Sequence, residues 1–206
     1  MSGVVIVDTG VANLRSMETA LVRAGRRPER TNDPERVRSA EFVVLPGVGS
    51  FARGTAALRG GLGESLRRRI EDGGATLAVC LGMQLLADSS EEDAGAVGLG
   101  VLPGRIVRLA AERVPHLGWS PVAPADAAAW PAPGYAAFAH SYALPAASVV
   151  DLAADGWSAA TCPSAGGFVA AVRRGAVVGC QFHPELSGAW GRDLIDDWLN
   201  GTEVGS

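Results

Sequence analysis

Along the 206-residue chain, short apolar runs alternate with longer amphipathic stretches. Runs at 4–7, 42–45, 75–79, 106–109, 168–172 and 176–181 are strand-length and mostly β-branched or small, which predicts strands covered on both faces. Stretches 12–24, 62–71, 82–87 and 189–199 repeat apolar residues at i, i+3 and i+4, which predicts helices. Alternation of the two implies an α/β sheet protein. Residues 103–163 break the pattern, with prolines and short apolar runs lacking helical period; added strands and loops are expected there, not a second domain. No repeat of fixed period is visible, the alanine patch at 123–129 is short, and residues 201–206 read as a loose tail. A single domain over 1–206 is the expected organisation.

Composition narrows the function class. An apolar fraction of 48% supports a core. No apolar run reaches membrane-spanning length, and residues 4–7 meet Asp8 and not a cleavage-type signal, so a cytoplasmic protein with no membrane role is expected. The net charge of -4 provides no basic face for nucleic acid. The densest basic cluster, Arg67, Arg68 and Arg69, reads as a solvated helix face. Three cysteines, Cys80, Cys162 and Cys180, form neither a disulfide framework nor a metal-type spacing, so no metal or cofactor is expected.

Candidate chemistry sits at three strand ends. In Thr76-Leu77-Ala78-Val79-Cys80-Leu81-Gly82-Met83-Gln84 a strand runs into a cysteine and then directly into a helical pattern, the layout of a nucleophile elbow. The helix start is expected to favour thiolate, the nucleophilic form, and Gly82 to let strand and helix approach closely. Alone, the segment equally fits an ordinary buried cysteine. The second strand end is Gln181-Phe182-His183-Pro184-Glu185, a base with a carboxylate two positions on that can orient it. Alone, it also fits a capped surface turn. The third, Leu45-Pro46-Gly47-Val48-Gly49-Ser50-Phe51, follows a strand with a glycine-rich turn whose amides, with that of Leu81, suit an oxyanion hole. A plain tight turn is the other reading, and no phosphate-loop pattern is present.

Taken together, Val79-Cys80-Leu81-Gly82-Met83-Gln84 and His183-Pro184-Glu185 resemble the class I glutamine amidotransferase signature. Within that superfamily the turn at 46–51, Gly82-Met83-Gln84-Leu85-Leu86, Ser90-Glu91-Glu92, Pro115-His116-Leu117-Gly118-Trp119 and His140-Ser141-Tyr142 are similar to the glutaminase subunits of imidazole glycerol phosphate synthase. The resemblance implies a flavodoxin-like three-layer α/β/α sandwich with a mostly parallel central sheet. It implies hydrolysis of glutamine by Cys80, His183 and Glu185, with Gln84, Glu92, Ser141 and Tyr142 holding the substrate. Gly47, Val48, Gly49 and Leu81 would serve the oxyanion. It further implies a heterodimer with a (β/α)8 cyclase that receives the ammonia in histidine biosynthesis, with His116 and Trp119 near that interface.

Several positions depart from the family pattern. The opening Asp8-Thr9-Gly10-Val11-Ala12-Asn13 differs at Thr9 and Ala12, Ser120 replaces an asparagine, and Leu186 stands where a lysine is usual. These bear on partner contacts, not on the triad. Other amidotransferases of the same fold, marked by P-G-G-E-S or P-G-P-G at the turn, and a catalytically idle partner-binding subunit are the competing readings.

Overall fold

The computed structural model describes residues 3–10, 14–125 and 130–201. Ala12, Val11 and Asn13, most of the alanine patch and the tail beyond 201 lie outside the described residues. The first half of the chain forms β1 (Gly3–Val7), α1 (Leu14–Arg23), β2 (Arg27–Thr31), α2 (Pro34–Ser39), β3 (Phe42–Leu45), α3 (Phe51–Ala57), α4 (Leu62–Glu71), β4 (Thr76–Val79) and α5 (Leu81–Leu85). The second forms β5 (Ala87–Ser90), β6 (Leu102–Arg108), β7 (His116–Pro124), β8 (Gly134–His140), β9 (Tyr142–Ala143), α6 (Val149–Ala154), β10 (Ser158–Cys162), β11 (Phe168–Arg174), β12 (Val177–Cys180) and α7 (Gly188–Asn200).

Nine strands join in the order β2-β1-β3-β4-β12-β11-β10-β7-β8, and β5-β6-β9 form a smaller sheet. The large sheet is parallel from β2 to β12 and antiparallel from β12 to β8. Because β1, β3 and β4 are apolar throughout, each can bury both faces. Val4 and Ile6 enter one core with α1 and α7 residues such as Leu21 and Trp198, while Val5 and Val7 enter a second with Leu66 and Ile70 of α4. Two cores on opposite faces of one sheet make the three-layer α/β/α sandwich. No helix among the described residues is long and apolar enough to cross a membrane.

Register brings the chemistry together. Leu45 of β3 lies beside Ala78 of β4, and Cys180 of β12 beside Val79, with all three strands parallel. The residues that follow therefore leave the sheet at one edge, the carboxyl ends of the strands, where open α/β sheets hold their ligands.

Some elements differ from the sequence expectation. Strand β2 is Arg-Pro-Glu-Arg-Thr, a polar edge strand paired with β1, so it carries no apolar run. The helix expected at 82–87 stops at Leu85, and Ala87–Ser90 instead pairs with β6, because tertiary pairing overrides local period. Within 103–163 the helix α6 forms beside the strands.

Arg69 corrects the solvated-face expectation for 67–69. Arg67 and Arg68 are exposed, each paired with a glutamate four residues away, but Arg69 is 5% exposed. Its guanidinium donates to the carbonyls of Val37, Arg38, Ala40, Glu41 and Ala75 at 2.6 to 3.5 Å. It thus ties the end of α2 to the starts of β3 and β4, and burial lowers its pKa. Arg69→Met would leave those carbonyls without their donor, at about 1–3 kcal/mol for a buried unsatisfied group. A net loss of about 3 kcal/mol in urea unfolding is the expected outcome.

Candidate active site

Cys80 terminates β4 with φ 54° and ψ -111°, a backbone conformation that costs a side-chain-bearing residue about 1–3 kcal/mol. The fold imposes it from both sides. The Cys80 amide donates to the Cys180 carbonyl at 2.7 Å, and its own carbonyl accepts from the Gln84 amide at 3.2 Å. Gly82 lies so near β3 that a Cβ there would stand 1.9 Å from the Leu45 carbonyl oxygen. The elbow is therefore real, but α5 is only five residues long and offers few aligned amides. Side chains, not a helix dipole, surround the sulfur.

The first of these is His183. Its backbone amide donates to Ala137 of β8 at 2.9 Å, and its carbonyl accepts from Ser187 Oγ, which in turn accepts from the Ala137 amide. The β8 strand so clamps the segment following β12. One ring nitrogen, Nδ1, is 2.9 Å from Glu185 Oε1, and Cys80 is near enough to favour the charged ring. Burial opposes the charge on His183, yet the bonds to Cys80 and Glu185 and their negative charge outweigh it, raising its pKa to about 10. The ring thus favours its protonated form, held against the Glu185 carboxylate.

The folded-state pKa of His183 exceeds its ordinary 6.5, so this charge stabilises the fold fully below pH 6.5, and the contribution is lost as pH rises through about 10. Glu185→Gln removes one source of the rise. Its stability deficit against the wild type, from thermal unfolding at a series of pH values, is expected to be largest below that ordinary value and to fade in alkali.

A cavity of about 260 Å³ opens at the sulfur. Ligand pockets commonly span about 300–1,000 Å³, so this one suits a molecule of amino-acid size. Val48, Gly49, Leu81, Gln84, Glu92, Ser141 and Tyr142, all expected from the sequence, line it with Cys80. Gly47 sits just behind, where a Cβ would press on Leu81 at 2.9 Å. Glu92 accepts the Phe51 amide through Oε2 at 2.7 Å, which fastens it to the end of the glycine turn and leaves Oε1 uncommitted by that bond.

The other titratable groups are unsuited to catalysis. His140 lines the cavity, but burial lowers its pKa to about 4 despite the bond of Nδ1 to the Tyr142 carbonyl at 3.0 Å, so it stays neutral. Cys180 is fully buried, and burial together with the charge of Glu185 pushes its thiol well up. His116 is half-buried, 3.1 Å from Ser120 Oγ and edge-on to His140, Phe138 and Phe168. Ser120 is buried. Trp119, by contrast, is 58% exposed.

Sequence reasoning missed Pro115, Leu117 and Ala139 as cavity-lining residues, since they reach it only through the β7–β8 pairing. It also passed over Gln181, whose one signal was a polar residue inside an apolar strand end.

Comparison with known proteins shows the family. The family model described as glutamine amidotransferase class-I matches residues 5–199. The chain is 39% identical to the imidazole glycerol phosphate synthase subunit HisH of Streptomyces coelicolor, over 95% of this chain and 92% of that one. It is 37% identical to the chloroplastic imidazole glycerol phosphate synthase hisHF of Arabidopsis thaliana over 97% of its own length, and spans 34% of that longer protein. Among solved structures, the glutaminase domain of a Trypanosoma brucei CTPS with bound acivicin superposes with a TM-score of 0.70 at 17% identity, covering 98% of this chain and 95% of that one. At that identity the likeness speaks for the fold.

Proposed function

The chain belongs to the class I glutamine amidotransferases and, within them, to the glutaminase subunits of imidazole glycerol phosphate synthase, and from that premise we propose how its residues work. The Cys80 thiolate attacks the side-chain amide carbon of glutamine held by Gln84, Glu92, Ser141 and Tyr142. Amides of the turn at Gly47, Val48 and Gly49 and of Leu81 stabilise the tetrahedral oxyanion. His183 protonates the departing nitrogen and ammonia leaves. Water, deprotonated by His183, then splits the glutamyl thioester and releases glutamate. One observation carries this reading: a strained cysteine lining a small cavity, with an imidazole beside it that is hydrogen-bonded to a carboxylate.

The ammonia is passed to a cyclase partner in a heterodimer that serves histidine biosynthesis. Leu117, Trp119, Tyr135 and Leu186 are each more than half exposed. Leu117 and Trp119 project from one face of β7, Tyr135 stands opposite Pro121 on β8, and Trp119 borders Gly188 close to Leu186. An apolar aromatic patch of this kind suits a partner, and Leu117 joins it to the cavity where ammonia is released. Trp119→Asp is expected to weaken cyclase binding at least tenfold in calorimetric titration, about 1.4 kcal/mol, without unfolding the chain.

Gly49 has φ +102°, so the turn holds a conformation that only glycine adopts easily, and it lines the cavity with Leu81 and Cys80 through a segment whose backbone glycine leaves least restricted. Gating follows: the oxyanion amides come into register when the partner binds its own nucleotide substrate. The decisive experiment is ammonia release from glutamine by the purified chain, alone and with a cognate cyclase and its nucleotide. Release that rises sharply in the loaded complex supports both hydrolysis and gating. Full rate in the isolated chain refutes gating, and no release in either state refutes the hydrolase reading.

A further inference from the structure

Gln181 is 1% exposed and stands two residues before the base, with its amide group between the nucleophile and a residue of the substrate pocket. Its Nε2 is 3.8 Å from Cys80 Sγ, within reach of an amide donor to the large sulfur atom, and its Oε1 is 3.1 Å from Gln84 Nε2. Gln84 Nε2 also donates to the Tyr142 carbonyl at 2.8 Å.

The polarity of this chain of bonds is forced. A backbone carbonyl only accepts, so Gln84 must turn its NH₂ group toward Tyr142, and the same group then faces Gln181. Gln181 must answer with its oxygen, which leaves its own NH₂ pointing at the sulfur. The backbone amide of Gln181 is held by Ala170 of β11 at 2.9 Å, so the residue is anchored on the sheet.

We infer that Gln181 is a catalytic hydrogen-bond donor to the Cys80 sulfur, aimed by a one-way relay from the Tyr142 carbonyl through Gln84. The relay supplies from the sheet side what the short α5 does not, a donor that favours the anionic sulfur and holds it toward His183. Gln84 acquires a second role, positioning Gln181, because its NH₂ group is committed to the relay and only its oxygen is left to face glutamine. This inference rests on Cys80 being the nucleophile, but its test does not need turnover.

The test follows alkylation of Cys80 by iodoacetamide from about pH 5 to about pH 10, read by mass spectrometry, with Cys80→Ala reporting the two buried cysteines. In Gln181→Met, a near-isosteric change without the donor, the midpoint of the alkylation profile is expected to move up by about one unit. Modification at neutral pH then slows about tenfold. In the cyclase complex, kcat should fall about tenfold near neutrality and recover as pH rises, with KM within about twofold. Gln84→Met with Gln181→Met should shift the midpoint no further than Gln181→Met alone, the signature of a shared relay.

An unchanged midpoint in a folded Gln181→Met chain, or a loss of activity equal at every pH, overturns the inference. If the methionine variant fails to fold, Gln181→Leu, which likewise has neither donor nor charge, carries the test, and an upward midpoint is again required. A chain that shows the shift but never hydrolyses glutamine would overturn the proposed function and keep the relay. Hydrolysis with an unmoved midpoint would do the reverse.

Discussion

Cys80→Ala is expected to reduce glutamine hydrolysis in the loaded cyclase complex by about ten-thousand-fold or more, while leaving cyclase affinity within a factor of about two. The loss follows from removing the atom that forms the thioester. Retention of fold follows from where the residue sits, with its backbone bonds to Cys180 and Gln84 made by main-chain groups that the substitution keeps. Cys80→Gly sharpens the expectation. At φ 54° and ψ -111° any Cβ is strained, so glycine relieves about 1–3 kcal/mol, offset by about 0.5–1 kcal/mol of extra chain entropy in the unfolded state. Cys80→Gly should therefore be as inactive as Cys80→Ala yet unfold at higher temperature. Appreciable turnover by Cys80→Ala would end the nucleophile assignment. A glycine variant no more stable than the alanine one would end the strain argument.

Gly82→Ala is expected to be among the most destructive single-methyl changes at the described glycines. The added Cβ would meet the Leu45 carbonyl oxygen at 1.9 Å and its carbon at 2.9 Å. Both are backbone atoms of a central strand with parallel neighbours on each side, so neither can yield without parting β3 from β4. A stability loss of about 4 kcal/mol or more, or failure to accumulate as soluble protein, is the expected result. Gly95→Ala, where the nearest atom would lie at an ordinary 3.7 Å, serves as the control and should stay within about 0.5 kcal/mol of the wild type. Soluble, active Gly82→Ala protein would mean that the elbow is looser than its geometry indicates.

These outcomes depend on features that were legible in the sequence to different degrees. Buried strands such as β1, β3 and β4 announce themselves as unbroken apolar runs, because a strand covered on both faces has no polar face to alternate with. The polar edge strand β2 and the late strands β7, β8 and β10 do not, since each carries polar, small or exposed residues in place of an unbroken apolar run. Arg69 and its neighbours Arg67 and Arg68 are chemically identical in sequence. Only the approach of α2 and two strand starts makes one of them a buried five-carbonyl hub.

By itself the sequence determined the α/β class, the sharp strand-to-helix turn at Cys80 and the pairing of His183 with Glu185, because each is a local pattern bound to a strand end. Tertiary structure alone decided the rest: that β3, β4 and β12 run parallel in a register that gathers three strand ends, and that β8 clamps His183. It alone set His116 against a buried Ser120 and aligned Tyr142, Gln84 and Gln181 on one sulfur. The physical reason is that hydrophobic period reports what a segment buries, whereas hydrogen-bond polarity and charge depend on which distant segment is buried against it.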